Sequence, residues 1–115
     1  MLSVLVPMSY AGPTPAPVRA EINALLERMQ SSECRFYRNG EWFSAVRARR
    51  HLLSKLENAE KVTTLDTSEA FIALVATKSS ASGRPYQVSC AGGVVRPSAD
   101  WLTAELTAIR SEAKH

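Results

Sequence analysis

The chain has 115 residues, of which 45% are hydrophobic and 22% are charged, and its formal net charge is +3. This length and hydrophobic content suit one folded domain with a modest core and exclude a mainly disordered chain. The small charge excess excludes the clustered positive charge of a dedicated nucleic-acid-binding domain. No stretch approaches the roughly 20 apolar residues that a membrane-spanning helix needs.

The first 17 residues resemble the end of a leader sequence followed by a linker. Residues 1–8 read MLSVLVPM, and Ser9-Tyr10-Ala11 places small residues at the two positions that a signal peptidase reads. The proline-rich stretch that follows should not be helical. We therefore interpret residues 1–17 as a signal-peptide remnant with a linker, and residues 18–115 as a single domain. We therefore expect a periplasmic or secreted location. The alternative is that this segment is only a flexible apolar tail.

Periodicity and turn residues predict an α+β fold with about four helices and two short antiparallel β-hairpins. Asn39-Gly40 lies between two aromatic-rich runs, and both residues accept the positive φ of a type I′ turn. Ser44 and Ser98 stand where a side-chain cap is needed before a helix, and Pro97 should end strand pairing. In chain order we predict helix 17–31, strands 34–38 and 41–43, helices 45–61 and 68–78, strands 86–90 and 94–95, and helix 99–112.

Each predicted helix carries apolar residues at three- and four-residue spacing, which indicates the face that packs into the core. The expected core residues are Val18, Ile22, Leu25, Leu26, Met29, Ala45, Ala48, Leu52, Leu56, Ala59, Phe71, Leu74, Val75, Trp101, Leu102, Leu106 and Ile109. Aromatic residues on the short strands could form a stacking platform, but in so small a domain they more often belong to the core. Those aromatic residues are Phe36, Tyr37, Trp42, Phe43 and Tyr86.

The order helix, strand, glycine turn, strand, helix occurs twice, over residues 25–56 and 74–109. Ser44 before the second helix corresponds to Ser98 before the fourth. We therefore predict two helix–hairpin–helix halves related by an approximate two-fold axis. The identities are few, so coincidence is the alternative.

The two cysteines of the chain, Cys34 and Cys90, lie in the two predicted hairpins. Outside the reducing cytosol they can form a disulfide that joins the halves. The closed loop of about 55 residues would stabilise the fold by roughly 4 kcal/mol. The alternative is a pair of buried thiols in a cytosolic protein. The cysteines and histidines lack the spacing of a structural zinc site, and no metal or cofactor is expected.

The second predicted helix carries a run of basic residues from Arg47 to Lys55. Arg47, His51 and Lys55 fall opposite or beside the apolar stripe, so this face could hold an anionic partner such as a lipid headgroup, a cell-wall polymer or a nucleic acid. The alternative is a solvated face with Arg49 paired to a carboxylate. His51 could act as an acid or base near neutral pH, but its neighbours in sequence form no catalytic triad.

The segment Ser82-Gly83-Arg84-Pro85-Tyr86 is predicted to leave the third helix and begin a strand. Gly83 permits unusual φ values and Pro85 stiffens the turn. A serine and a tyrosine on so rigid a loop could bind a ligand or enter a partner's cleft. The alternative is a helix stop with Tyr86 packed on the core.

Four segments, RFYRNGEWFSA, HLLSKLENA, FIALVATKSSASGRPYQV and PSADWL, together resemble the YfeK-like family of small exported bacterial proteins of unknown function. The similarity extends over about residues 21–109. It implies a single-domain secretory protein of Gram-negative bacteria without an established activity. The residues to which the resemblance points are Arg38, Asn39, Gly40, His51, Lys55, Ser82, Gly83, Pro85, Tyr86, Trp101 and Leu102.

Together these observations predict a periplasmic or secreted, non-catalytic module that binds a protein or a cell-envelope component without a cofactor. The expected binding residues are His51, Lys55, Ser82, Gly83, Tyr86 and Arg38. One alternative is a hydrolase or transferase that uses His51 with Ser82. Another is a weak binder of nucleic acid or another anionic polymer through the Arg47–Lys55 face, although nucleic acid is the less expected partner.

Overall fold

A computed structural model describes residues 12–114 and shows four helices and a four-stranded antiparallel sheet. In chain order the elements are α1 (Ala16–Ser31), β1 (Arg35–Arg38), β2 (Glu41–Ser44), α2 (Ala45–Glu60), α3 (Ser68–Val75), β3 (Gln87–Ser89), β4 (Arg96–Pro97) and α4 (Ser98–Glu112). The predicted α+β fold and the order of its elements are confirmed. Of residues 1–17, which were predicted as a signal-peptide remnant and linker, residues 1–11 lie outside the described residues. Within residues 12–114, every helix is too short or too polar to cross a membrane.

The two hairpins meet at the centre of the sheet, where the strand order is β2-β1-β3-β4. Phe36 pairs with Val88 in the middle of the antiparallel β1–β3 pair. The helices follow the same pattern. The contact between α1 and α2 corresponds to the contact between α3 and α4, and the contact between α1 and α4 corresponds to the contact between α3 and α2. This is the arrangement that two helix–hairpin–helix halves related by a two-fold axis require.

The core lies where α2 and α4 contact the sheet and where α1 and α3 pack against those two helices. Phe36 of β1 contacts Trp101 of α4 edge to face, with ring centroids 5.8 Å apart. Most of the predicted core residues are buried. The largest fully buried side chains are Phe71, Ile22, Leu25, Leu26, Met29, Leu56, Leu65, Leu102, Val75 and Val88.

Two helix boundaries differ from the prediction. Helix α1 begins at Ala16, one residue before the predicted start, and its first turn contains Pro17, which was also assigned to the linker. Proline is tolerated there because the first amide groups of a helix have no partner within the helix. Helix α3 ends early, at Val75, because the chain then turns back and Lys78 pairs with Pro85. Leu74 was expected in the core but is 62% exposed, and Ile72 is buried instead.

The last strand and the start of α4 also differ from the prediction. Strand β4 contains Arg96 and Pro97 rather than residues 94–95, and Pro97 pairs with Gln87 instead of ending the pairing. The sheet edge accommodates proline because an outward-facing position needs no amide donor. Ser98 is the first residue of α4, and its side chain makes no capping hydrogen bond.

The aromatic residues of the hairpins divide between core and surface. Phe36 and Tyr86 are buried, as predicted, whereas Tyr37 and Phe43 are half-buried. Trp42 was expected in the core but is 38% exposed. Trp42 pairs with Tyr37, so it lies on the face of the sheet opposite to the buried Phe36 and Val88.

Cys34 and Cys90 form the predicted disulfide. Cys34 precedes β1 and Cys90 follows β3, next to the paired residues Arg35 and Ser89. The disulfide therefore fastens one end of the central strand pair and joins the two halves of the fold. Because it links residues 56 positions apart, it strongly restricts the unfolded chain.

Replacing both cysteines, Cys34→Ala with Cys90→Ala, should lower the free energy of unfolding by roughly 3–4 kcal/mol, because the unfolded chain regains the entropy that the cross-link removes. Urea unfolding followed by circular dichroism at neutral pH measures this loss. The reduced wild-type protein is the matched control, since it loses the cross-link without a change in sequence. A loss below about 1 kcal/mol in both samples would show that the disulfide stabilises little.

Candidate functional site

Four of the predicted binding residues meet at the end of the β1–β3 pair that lies opposite the disulfide. Arg38 is the last residue of β1, and Tyr86 directly precedes β3. Helix α2 follows β2 without a break because Ser44 caps it, its hydroxyl accepting from the amide of Arg47. The helix thus carries His51 and Lys55, which are one turn apart, to the same place. We refer to Arg38, His51, Lys55 and Tyr86 as the cationic cluster.

Short polar contacts connect all four members of the cationic cluster. The Arg38 Nη1 lies 2.7 Å from Nδ1 and 3.0 Å from Nε2 of His51. Nε2 of His51 lies 3.1 Å from the Tyr86 hydroxyl oxygen. Lys55 Nζ donates to this same oxygen at 2.9 Å and to the carbonyl of Lys78 at 2.9 Å. The Tyr86 hydroxyl is therefore the shared centre of the cluster.

The cluster keeps His51 neutral at pH 7. Burial, the Arg38 guanidinium and the Lys55 ammonium together lower the pKa of His51 from 6.5 to about 4. Burial and Arg38 also lower the pKa of Lys55, and burial raises the pKa of Tyr86. Between pH 6.5 and 4 the unfolded chain binds a proton at His51 that the folded chain excludes, so this group makes the fold less stable as the pH falls through that window.

The hydrogen-bond directions follow from the neutral state of His51. Arg38 and Lys55 have only donors, so the His51 ring accepts from the guanidinium and the Tyr86 oxygen accepts from the ammonium. The Tyr86 hydroxyl also shares a hydrogen bond with Nε2 of His51. The donors that the cluster leaves unused are N–H groups of Arg38 and Lys55.

The positive charges of the cluster have no carboxylate partner among residues 12–114. Five ion pairs connect described residues, and neither Arg38 nor Lys55 belongs to any of them. By contrast, Arg110 is held by the two carboxylates of Glu21 and Glu69 at 2.9 and 2.8 Å. Half-buried cations without a counter-charge are unusual and indicate a place where an anion can bind.

Ser82 and Gly83, the other two predicted binding residues, lie in a loop beside the cluster rather than in it. Ser82 Oγ donates to the side chain of Asn39 at 2.5 Å, and the amide of Gly83 donates to the carbonyl of Ser79 at 2.9 Å. The Ser79 hydroxyl accepts from the Asn39 side-chain amide at 3.1 Å. Asn39 follows Arg38 directly, so these bonds hold the loop against the β1–β2 turn and fix the position of Arg38.

A cavity of about 340 Å³ lies next to the cluster. Arg38, His51 and Tyr86 belong to both, whereas Lys55 lies outside the cavity lining. No aspartate or glutamate lines the cavity within the part of the chain that the structure describes. The lining residues are Met29, Phe36, Tyr37, Arg38, Phe43, Arg47, Ala48, Arg50, His51, Leu52, Ser54, Tyr86 and Ser98.

The basic residues of α2 occupy different environments instead of forming one solvated face. Arg47 is exposed and lies over the ring of Phe43, with its Cζ 5.0 Å from the ring centroid. Arg50 is exposed at the cavity, and Lys55 belongs to the cluster. The alternative of a solvated face paired Arg49 with a carboxylate, but Arg49 makes no ion pair with a described residue, and its buried Nε lacks a hydrogen-bond partner there.

The alternative of His51 acting with Ser82 requires the two side chains to be within hydrogen-bond reach. In the structure His51 contacts Arg38 and Tyr86, and Ser82 bonds to Asn39 and to the amide of Arg84. Their hydrogen bonds thus form two separate networks. Among residues 12–114 no three histidine, cysteine or carboxylate side chains are grouped as metal ligands.

The predicted binding residues did not include Asn39, Ser79, Phe43 or Ser98. Asn39 was assigned to a turn and Ser79 to the residues after a helix, and neither assignment indicates that their side chains form a hydrogen bond. Phe43 was expected in the core, and Ser98 was expected to cap a helix. The signal that could have indicated Phe43 is its place in RNGEWFS between Arg38 and Arg47, both of which lie over its ring.

Comparison with known proteins gives a family but no activity. The model of DUF5329, a family of unknown function, matches residues 16–110. The chain is 41% identical over 68 residues to the uncharacterised protein YfeK of Salmonella typhimurium, and the match covers 58% of this chain and 55% of YfeK. The chain thus spans about half the length of this relative. No solved structure matches the chain. The YfeK-like resemblance seen in the sequence is confirmed.

We expect the ring protons of His51 to titrate with a midpoint of about 4 in NMR spectra. Arg38→Gln should raise this midpoint markedly and Lys55→Met should raise it less, because the guanidinium depresses the pKa of His51 more than the ammonium does. A His115→Asn background leaves His51 as the one histidine in the chain. Arg96→Gln, which removes a charge from β4 outside the cluster, should leave the midpoint unchanged. A midpoint near 6.5 in the starting protein would contradict the described environment.

Proposed function

This chain belongs to DUF5329, a family of unknown function, and we propose that it is an exported, non-catalytic binding module that recognises an anionic group on a cell-envelope component or a protein. The observation that carries the proposal is the cationic cluster itself. Arg38, His51, Lys55 and Tyr86 bring their donors together, and no carboxylate of residues 12–114 pairs with either cation.

An anion would satisfy the donors that the cluster leaves free. A carboxylate or phosphate oxygen can accept from the Arg38 guanidinium and from the third N–H of Lys55. Hydrogen bonds between ionised groups are shorter and stronger than neutral ones. An anion would also oppose the two positive charges that depress the pKa of His51, so binding and the pKa of His51 are linked.

The hydrogen-bond networks support binding rather than catalysis. His51 is held between Arg38 and Tyr86, and the hydroxyl of Ser82 is used by Asn39, so the pair on which the hydrolase or transferase alternative depends is not assembled. The distribution of charge on α2 likewise gives less support to nucleic-acid binding, because Arg49 is half-buried and Lys55 faces Tyr86 instead of lying in one exposed row with Arg47.

Three observations support the proposed export. The Cys34–Cys90 disulfide is a type of bond that persists in oxidising compartments and is rare in the cytosol. The composition of residues 1–17 and the resemblance to an exported family agree with that location. The cell envelope would also supply carboxylate- and phosphate-bearing ligands for the cationic cluster.

Acetate and inorganic phosphate should bind at the cationic cluster at low ionic strength, where screening of charges is weakest. The expected result is a set of saturable chemical-shift changes at the amides of Arg38, His51 and Tyr86 in ¹⁵N-labelled protein. Arg38→Gln should weaken the affinity by roughly tenfold or more, because it removes a charge-assisted hydrogen bond.

Arg96→Gln is the matched control for that titration, since it removes the same charge outside the cluster and should leave the affinity unchanged. Acetamide, which has the shape of acetate without its charge, should cause no saturable change. Equal binding of acetate to wild type and Arg38→Gln, or equal binding of acetate and acetamide, would overturn the proposed function.

In cells that express the protein from its native gene, we expect to find it in the fraction released by osmotic shock. Cys34 and Cys90 should resist alkylation until a reductant is added, because the disulfide leaves no reactive thiol. Fractionation followed by a thiol-alkylation mass shift measures both properties. A cytoplasmic protein with both cysteines alkylated would contradict export.

A further inference from the structure

The cavity beside the cationic cluster has charged residues at its rim and apolar residues inside. We propose that it binds an anionic amphiphile whose acidic head group lies at the rim, whose apolar body enters the cavity and whose far end carries a hydroxyl or carbonyl that bonds to Ser98. The proposal rests on the proposed function, because the head group would be the anion that the cluster recognises.

Burial separates the lining into these two zones. Arg47 and Arg50 are exposed at the rim, and Arg38 is half-buried. Farther in, Phe36 is 5% exposed and Leu52 is 4% exposed. The volume of about 340 Å³ falls at the lower end of the range found for small-molecule sites, about 300 to 1,000 Å³. The cavity can therefore enclose a small apolar body but not a folded partner.

The rim presents its positive charge in a fixed arrangement. The guanidinium carbons of Arg38 and Arg47 lie 4.9 and 5.0 Å from the centroid of the Phe43 ring. Contacts of this kind hold a guanidinium in place through the charge distribution of the ring. Two planar, oriented guanidinium groups suit bidentate recognition of a carboxylate or phosphate better than mobile lysines would.

Ser98 provides the polar contact inside the cavity. The residue is 3% exposed, and its Oγ has no hydrogen-bond partner among the described residues. Its amide donates to the carbonyl of Tyr86 at 2.9 Å, so the main chain holds Ser98 against the cluster. A buried hydroxyl without a partner is unfavourable, and a ligand group that bonds to it would remove that cost.

An inorganic anion alone would leave most of the cavity unused. It would reach the donors of Arg38 but would contact neither the apolar interior nor Ser98. A ligand with a hydrocarbon body should gain about fourfold in affinity for each methylene group that it buries. The cavity thus favours an amphiphile over a bare carboxylate or phosphate ion.

Four probes with the disulfide-bonded full chain test the proposal. Decanoate combines the head group with an apolar body, acetate is the head group alone, ω-hydroxydecanoate adds the distal hydroxyl, and decyltrimethylammonium inverts the charge. We expect decanoate to bind more than tenfold tighter than acetate and ω-hydroxydecanoate to bind tighter still. Decyltrimethylammonium should bind at least tenfold more weakly than decanoate, because it lacks the charge that Arg38 recognises.

Two variants locate the apolar body and its far end. Ser98→Ala should leave the thermal unfolding midpoint unchanged or higher, because the hydroxyl has no partner to lose. It should also weaken the affinity for ω-hydroxydecanoate by about two- to tenfold while leaving the affinity for decanoate unchanged. Ala48→Leu should fill part of the cavity and remove most of the gain of decanoate over acetate. Ala73→Leu, on the exposed face of α3, is the matched control and should change the affinity for neither decanoate nor acetate.

The outcomes separate this inference from the proposed function. If acetate binds in an Arg38-dependent way but decanoate binds no tighter, or if Ala48→Leu leaves the affinity for decanoate unchanged, the amphiphile inference fails and the anion site stands. If decyltrimethylammonium binds as tightly as decanoate, or if Arg38→Gln changes the affinity for neither acetate nor decanoate, the anion site fails as well. If Ser98→Ala weakens the affinities for decanoate and ω-hydroxydecanoate equally, the far end of the ligand does not bond to Ser98.

Discussion

The antiparallel pairing of β1 with β3 is the constraint on which the rest of the structure depends. It is the contact that makes one sheet out of two short hairpins, each of which would be marginal alone in water. Its register determines what lies at each end: Cys34 and Cys90 at one, Arg38 and Tyr86 at the other. A shift by one residue would turn Phe36 and Val88 away from the core, so the buried face keeps the register fixed.

The cationic cluster depends on this pairing because its members come from both halves of the fold. Arg38, His51 and Lys55 belong to the first half, and Tyr86 belongs to the second. Tyr86 is held in place because its backbone groups bond to Thr77 and Ser98, on either side of the loop. Its hydroxyl can then bond to His51 and Lys55 at once. The unusual electrostatics of the site thus follow from where the sheet ends.

Local sequence signals predicted those parts of the fold that local physics decides. Asn39 and Gly40 adopt φ values of 50° and 88°, as the type I′ turn requires. The apolar stripes of α1 and α2 were correct because helical spacing alone defines them. Pro97 and Ser98 were misinterpreted because their roles depend on pairing with β3 and on the cavity, which no nearby residue indicates. The predicted length of α3 was wrong for the same reason, because the pairing of Lys78 with Pro85 decides where the helix ends.

The same limit applies to the candidate site. Sequence and resemblance identified Arg38, His51, Lys55 and Tyr86, but they gave no indication that the Tyr86 hydroxyl would join the other three. Ser82 was predicted correctly as a loop residue, while its bond to Asn39 depends on a contact across 43 positions in the chain. The cavity could not be predicted, because it is the space left between a helix, a sheet edge and the start of another helix.

The connection between α2 and α3 runs over the surface, where Val62 is 80% exposed, and the disulfide joins residues on either side of it. A protease that cut the chain at this point would produce two fragments, each with one hairpin and its two helices. The fragments would remain a single covalent molecule, and the central strand pair would still hold them in register. Proteolytic nicking there would therefore leave the surface around Tyr86 intact, and it would become visible only after reduction.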